Sequence, residues 1–151
     1  MADTLTLTLE VATPLGLALN TMADSVQAPS VNGEFGVLPG HLPLLAALKP
    51  GILRWTSSLG SDHGRSAPQV YVAAVSAGFV EAGSDRVLML TDAFLVPKDI
   101  DENVARSELE QAEAALAGFG EEYEGREYDE LQRRIDWARA RLDVKAEAAR
   151  S

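Results

Sequence analysis

The sequence predicts a two-part chain: short β-strands forming an antiparallel sandwich or barrel, followed by an antiparallel two-helix hairpin. Three observations predict it. The stretch Thr4 to Val11 alternates strictly between polar and apolar residues, the period of a half-buried strand. Apolar runs at 51–55, 70–75, 79–82 and 87–90 are separated by Gly, Ser, Asp and Pro clusters, the spacing of an all-β unit. Composition then changes. Residues 1–94 hold 8 acids and 4 bases among many Val, Leu, Thr, Gly and Pro, whereas residues 95–151 hold 15 acids and 9 bases among many Ala, Glu, Arg and Leu. The boundary therefore falls near Val96 to Asp99, dividing a β part, residues 1–96, from a helical part, residues 97–151.

In the first strand Leu5, Leu7, Leu9 and Val11 share one face, and Thr13-Pro14-Leu15-Gly16 turns the chain. Asn32 to His41, with three glycines and a proline in ten residues, reads as a shaped loop. Gly33, Gly36 and Gly40 permit positive φ or close backbone approach, Pro39 locks its own φ and keeps Leu38 extended, and Phe35, Val37 and Leu38 supply apolar anchors. Ser57 to Pro68 is expected to be a long exposed hairpin loop, and Gly83 to Arg86 a hairpin turn. The acids of Asp99-Ile100-Asp101-Glu102 suit a helix N-terminus, where free amides and the dipole favour negative charge. Ala105, Leu109, Ala112, Leu116 and Phe119 then form one stripe, ended by Gly118 and Gly120. After an acidic connector, Tyr128, Leu131, Ile135, Ala138, Leu142, Ala146 and Ala149 form a second. A seam so rich in alanine buries little area, and at roughly 25 cal/mol per Å² it stabilises little. Such a hairpin either docks statically or opens against another surface.

A length of 151 residues with 46% hydrophobic content supports a real core. With no cysteine, disulfides, thiol catalysis and thiolate metal sites are excluded. The apolar runs are far shorter than the roughly 20 residues that span a bilayer, and strand residues begin almost at Met1, leaving no room for a transit peptide. A net charge of −10 argues against a nucleic-acid surface and for protein partners. His41 and His63 are the only histidines, and no pattern of zinc ligands accompanies them. The glycine-rich stretch lacks the Lys and Ser/Thr of a phosphate loop. Ser76-Ala77-Gly78 lacks the flanks of a nucleophile elbow and reads as a tight packing turn. A free-standing ligand-binding sandwich calls for an exposed aromatic cluster, which 6% aromatics make hard to build, and a small hydrolase calls for a base with a partner.

The run Asn32-Gly33-Glu34-Phe35-Gly36-Val37-Leu38-Pro39-Gly40-His41-Leu42-Pro43-Leu44-Leu45, followed by Leu48-Lys49-Pro50-Gly51, closely resembles the signature of the epsilon subunit of bacterial and chloroplast F-type ATP synthase. The resemblance continues through Tyr71-Val72-Ala73, Ser76 to Glu81, Val87 to Leu90 and Asp99-Ile100-Asp101. It implies a ten-stranded β-sandwich followed by a helical hairpin, in a non-catalytic subunit of the rotating central stalk on the cytoplasmic face of the bacterial plasma membrane. The sandwich would bind the gamma subunit and rest on the c-ring loops, coupling proton flow to rotation. Glu34, Pro39 and His41 match the family segment that faces the ring; alternatively, Glu34 and His41 only solvate a loop tip. The hairpin would extend toward the alpha/beta hexamer and restrain ATP hydrolysis. There Arg133, Arg134, Arg139 and Arg141 would meet acidic residues, unless they pair with neighbouring acids of their own helix.

Some relatives bind ATP through an Ile/Leu-Asp-x-x-Arg-Ala motif at the start of the first helix. This chain keeps Ile100, Asp101, Ala105 and, on the second helix, Arg141. It has Val104 in place of the arginine, Leu95 in place of a glutamate and Trp137 in place of a second arginine. Ile135 to Ala140 matches the motif but stands on the wrong helix. The losses leave phosphate charge poorly compensated, so no tight ATP binding, no cofactor and no metal are expected.

Overall fold

The computed structural model describes residues 6–59, 65–119 and 125–150; Leu5, His63, Gly120 and the acidic connector 121–124 lie outside them. The described residues form ten strands, β1 (Leu7–Thr13), β2 (Gly16–Ala23), β3 (Ser25–Ser30), β4 (Gly33–Val37), β5 (Leu44–Leu48), β6 (Gly51–Leu59), β7 (Arg65–Val75), β8 (Gly78–Ala82), β9 (Arg86–Thr91) and β10 (Phe94–Leu95). A 3-10 turn at Pro97–Asp99 leads to helices α1 (Glu102–Ala117) and α2 (Arg126–Ala149). The strand order is β10-β7-β6-β3-β5-β8-β9-β1-β2, with β4 added on β3. β3 meets β5 through one residue pair, Ser30 with Leu48, so the sheet narrows there. Strands on either side supply one core: Val26, Val37, Leu53 and Val75 from one, Leu7, Leu9, Val11, Val80, Val87 and Met89 from the other.

Pairing is antiparallel except between β1 and β9, which run parallel. No tight turn joins these two strands, so no hairpin dictates their direction. The Thr13 to Gly16 and Gly83 to Arg86 turns fall where the sequence predicts them.

Asn32 to His41 is only in part a loop. Gly33–Val37 forms β4, paired with β3 across Val31-Asn32, because Phe35 and Val37 alternate inward and Val37 is fully buried. Gly33 and Gly40 do use positive φ, at 117° and 88°. Gly36 has ordinary strand geometry, and a Cβ there would meet nothing nearer than 3.9 Å. Of the expected loop at Ser57 to Pro68, residues 60–64 lie outside the described residues; 57–59 and 65–68 belong to β6 and β7, with Ser57 opposite Gln69 and Leu59 opposite Arg65. Backbone pairing continues through polar residues once apolar neighbours have set the register.

Along α1 the predicted stripe is the inward face: Ala105 and Ala112 are buried, and Leu109, Leu116 and Phe119 half-buried. Asp101 caps it, accepting the Val104 N–H at 3.2 Å. On α2 the stripe holds from Tyr128 to Leu142, but Ala146 and Ala149 are exposed. The 24 residues of α2 outrun the 16 of α1, so α1 cannot cover the last turns. A second face of α2 docks on the sandwich: Val144 is buried with Ala74 and Ile100, flanked by Ile52, Val72, Leu95 and Trp137.

Candidate partner-binding surface and hairpin contact

Leu38-Pro39-Gly40-His41 is a tight turn closed by the His41 N–H donating to Leu38 O at 3.1 Å. Pro at the second position and a positive-φ Gly at the third are the residues a type II turn requires. The Gly40 N–H also donates to Ser84 O at 2.6 Å, tying this turn to the β8–β9 turn. The His41 ring lies back on its own backbone, Nδ1 2.5 Å from Leu42 O. Pro39 is half-buried, while Leu38 and Leu42 on either side are exposed.

Glu34 points outward from β4 and is taken by Arg54 of β6, whose Nη1 donates to its carboxylate at 2.7 Å. The same guanidinium reaches the last turns of α2, donating from Nε and Nη2 to Glu147 at 3.1 and 2.9 Å. Glu147 stands where the helix dipole disfavours an acid, and no base in its own last turn compensates it; Arg54 supplies the cation. Hydrogen bonding to Glu147 holds the Arg54 guanidinium above its ordinary pKa, against the opposing effect of burial.

Between the helices, Arg141 is buried. Its Nη2 donates to the Glu108 carboxylate of α1, its Nε donates to Trp137 O at 3.3 Å, and its guanidinium lies 5.2 Å above the Trp137 ring. Arg139 also crosses the hairpin, to Glu113 at 3.3 Å, whereas Arg134 pairs within its helix with Glu130 at 3.0 Å. Arg133 makes no hydrogen bond or ion pair among the described residues. Of the residues retained from the nucleotide motif, Ile100 packs under α2, Asp101 caps α1 and Ala105 lies in the helix seam. A cavity of about 380 Å³ between the two helices is lined by Glu108, Gln111, Ala112, Leu131, Arg134 and Trp137.

The outer face of the β5-β8-β9-β1-β2 layer carries an apolar row. Ala47 lies opposite Phe79, Phe79 opposite Leu90, Leu90 opposite Ala12, and Ala12 opposite Leu17. Facing residues in paired strands share a side, so these five form a continuous strip about 19 Å across. Leu17, Phe79 and Leu90 are more than half exposed, as is Leu45 on the same face. The next row, Leu45, Glu81, Leu88, Glu10 and Asn20, is mixed, and Arg86 pairs with Glu10 at 3.0 Å.

A family model described as the ATP synthase delta/epsilon chain β-sandwich domain matches residues 6–97. An ATP synthase epsilon chain of Syntrophotalea carbinolica is 36% identical over 144 residues, covering 95% of this chain and 96% of the relative. The chain belongs to the ATP synthase epsilon-chain family. An epsilon chain of Magnetococcus marinus is 35% identical over 137 residues, covering 91% of this chain and 92% of the relative. In fold, this epsilon-family chain is similar to a chain in a cryo-EM structure of the Euglena gracilis mitochondrial ATP synthase, OSCP/F1/c-ring. The TM-score is 0.69 at 19% identity, with 97% of this chain and 82% of the other covered.

Within this epsilon-family chain, sequence reasoning missed Arg54 and Glu147. The signals were an arginine alone in the apolar run Gly51 to Trp55 and an acid at the wrong end of a helix. It also missed the apolar row, because facing across a sheet depends on strand register. Arg139 and Arg141 pair across the hairpin rather than within their helix.

Proposed function

We propose that this chain is a non-catalytic central-stalk subunit of an F-type ATP synthase, peripheral to the cytoplasmic face of a bacterial plasma membrane, linking the gamma subunit to the c-ring and so coupling proton translocation to ATP synthesis. The relationship to epsilon chains along nearly the whole length carries this function. No helix among the described residues is long and apolar enough to cross a membrane, which fits a peripheral position. Gamma docks on the apolar strip from Ala47 to Leu17, a surface too apolar to leave in water without a partner. Glu34 and the rigid Pro39-Gly40-His41 turn meet the polar loops of the c-ring. Stoichiometric co-purification with a gamma subunit is the expected result, and failure to bind any gamma or c-ring partner overturns the assignment.

Residues 97–151 act as a regulatory unit. The hairpin leaves the sandwich and brings Arg133, Arg134 and Arg139 toward acidic residues of the alpha/beta hexamer. Its sandwich contact is small, with three buried apolar residues in its core cluster among the described residues, which suits release. Deleting residues 97–151 is expected to raise ATP hydrolysis by the assembled enzyme, and unchanged hydrolysis removes the inhibitory role.

Release is not governed by bound ATP in this chain. Arg141 is already occupied by Glu108 and Trp137, and Val104 offers no charge at the start of α1. Isothermal titration of the isolated protein with ATP is expected to show no micromolar binding. A micromolar Kd overturns this.

A further inference from the structure

At its far end the contact between hairpin and sandwich includes an ionic group. Arg54 is shared by two carboxylates from opposite sides, Glu34 of β4 and Glu147 of α2. A cleft of about 480 Å³, lined by Ser25, Gln27, Trp55, Thr56, Val70 and Glu147, lies beside it. Beyond the buried Val144, the final turn of α2, with Glu147 and Ala148, borders this cleft, and Arg54 meets it there. The outer member, Glu34, has a half-exposed side chain, open to a partner.

We infer that Arg54 is a relay: a cationic partner group that neutralises Glu34 tightens the hold of Arg54 on Glu147 and keeps the hairpin docked. This rests on the proposal that the hairpin leaves the sandwich. Arg54 engages Glu147 through two donors, Nε and Nη2, which orient the guanidinium without help from Glu34. Glu34 draws on the remaining side of the same cation and adds a like charge near Glu147. Its neutralisation leaves one cation facing one anion. Whatever cation meets β4 is thus felt at the hairpin end, through one side chain and no backbone movement.

Thiol reactivity tests the relay, because the chain has no cysteine of its own. Ala74→Cys, fully buried beneath α2, reacts with an alkylating reagent only when the hairpin lifts; Val144→Cys reports the same event from the helix side. Val80→Cys, in the sandwich core, reports unfolding of the sandwich. In the full-length protein, Glu34→Gln is expected to slow labelling at position 74 by about two- to fivefold, and Arg54→Gln or Glu147→Gln to speed it by about as much, the range for partly exposed ion pairs. Labelling at position 80 is expected to stay constant. If Glu34→Gln speeds labelling or leaves it unchanged while Arg54→Gln speeds it, the relay is overturned and hairpin release stands. If positions 74 and 144 react no faster than position 80 in every variant, hairpin release itself is overturned, and the relay with it.

Discussion

Gly78→Ala is expected to destabilise the sandwich by at least about 3 kcal/mol, a large share of the 5–15 kcal/mol of an ordinary domain. A Cβ at this position would stand 1.9 Å from Leu90 O and 2.8 Å from both Leu90 C and Thr91 Cα. These are backbone atoms of β9, and they cannot retreat without parting the β8–β9 ladder that carries Val80 opposite Met89 into the core. Nearby hydrogen bonds hold the strand in place. The Thr91 hydroxyl accepts from the Ser76 N–H at 3.1 Å and lies 3.2 Å from both Ala77 O and Ala93 O, sharing its proton between them. The Ser76-Ala77-Gly78 segment is thus a packing turn whose glycine is needed for space rather than for a special φ. Equilibrium urea unfolding checks this, with Gly36→Ala as the companion because its nearest neighbour is 3.9 Å away. A sharp fall in midpoint for the first and a small change for the second are expected. Equal midpoints would show that β9 yields.

Phe79→Glu is expected to weaken binding to a gamma subunit by about thirtyfold or more, the cost of losing the aromatic anchor of the proposed docking strip and burying an unpaired charge. Phe79 is 58% exposed in the isolated chain, so the same change leaves urea stability nearly untouched. It is the second of the five residues of the strip and its one aromatic ring, with Ala47 on one side and Leu90 on the other. A glutamate there would add to Glu81, two residues along the same face. Calorimetric titration against purified gamma reads the loss, and an unchanged Kd would overturn the proposed docking of gamma on this strip.

Much of the fold was legible where a pattern is local. The strict alternation of Leu7, Leu9 and Val11 identified an inward strand face, and the Ala105 to Phe119 spacing identified the buried side of α1. Both depend only on the repeat of the element itself. The glycine-rich stretch was harder, because Gly33 and Gly36 suggest a loop while the inward alternation of Phe35 and Val37 makes a strand. Burial outweighed the preference of the glycines. The second buried face of α2, from Trp137 through Val144, was legible only once the sandwich stood beside it, since Ala146 and Ala149 continue the first stripe equally well.

The β-then-helix order, the turn chemistry of Pro39-Gly40 and the family signature are written in neighbouring residues, and the chain alone was enough to read them. The contacts of Glu34, Arg54, Glu147, Arg141 and the apolar strip are not. Arg54 and Glu147 are 93 residues apart, and Arg141 and Glu108 are 33 apart. The strip joins five strands whose order differs from their order in the chain. Local periodicity says which way a side chain points from its own element, but not what stands opposite. That was decided by the packing of whole sheets and helices against one another, which converts a lone outward arginine into the link between two parts of the protein.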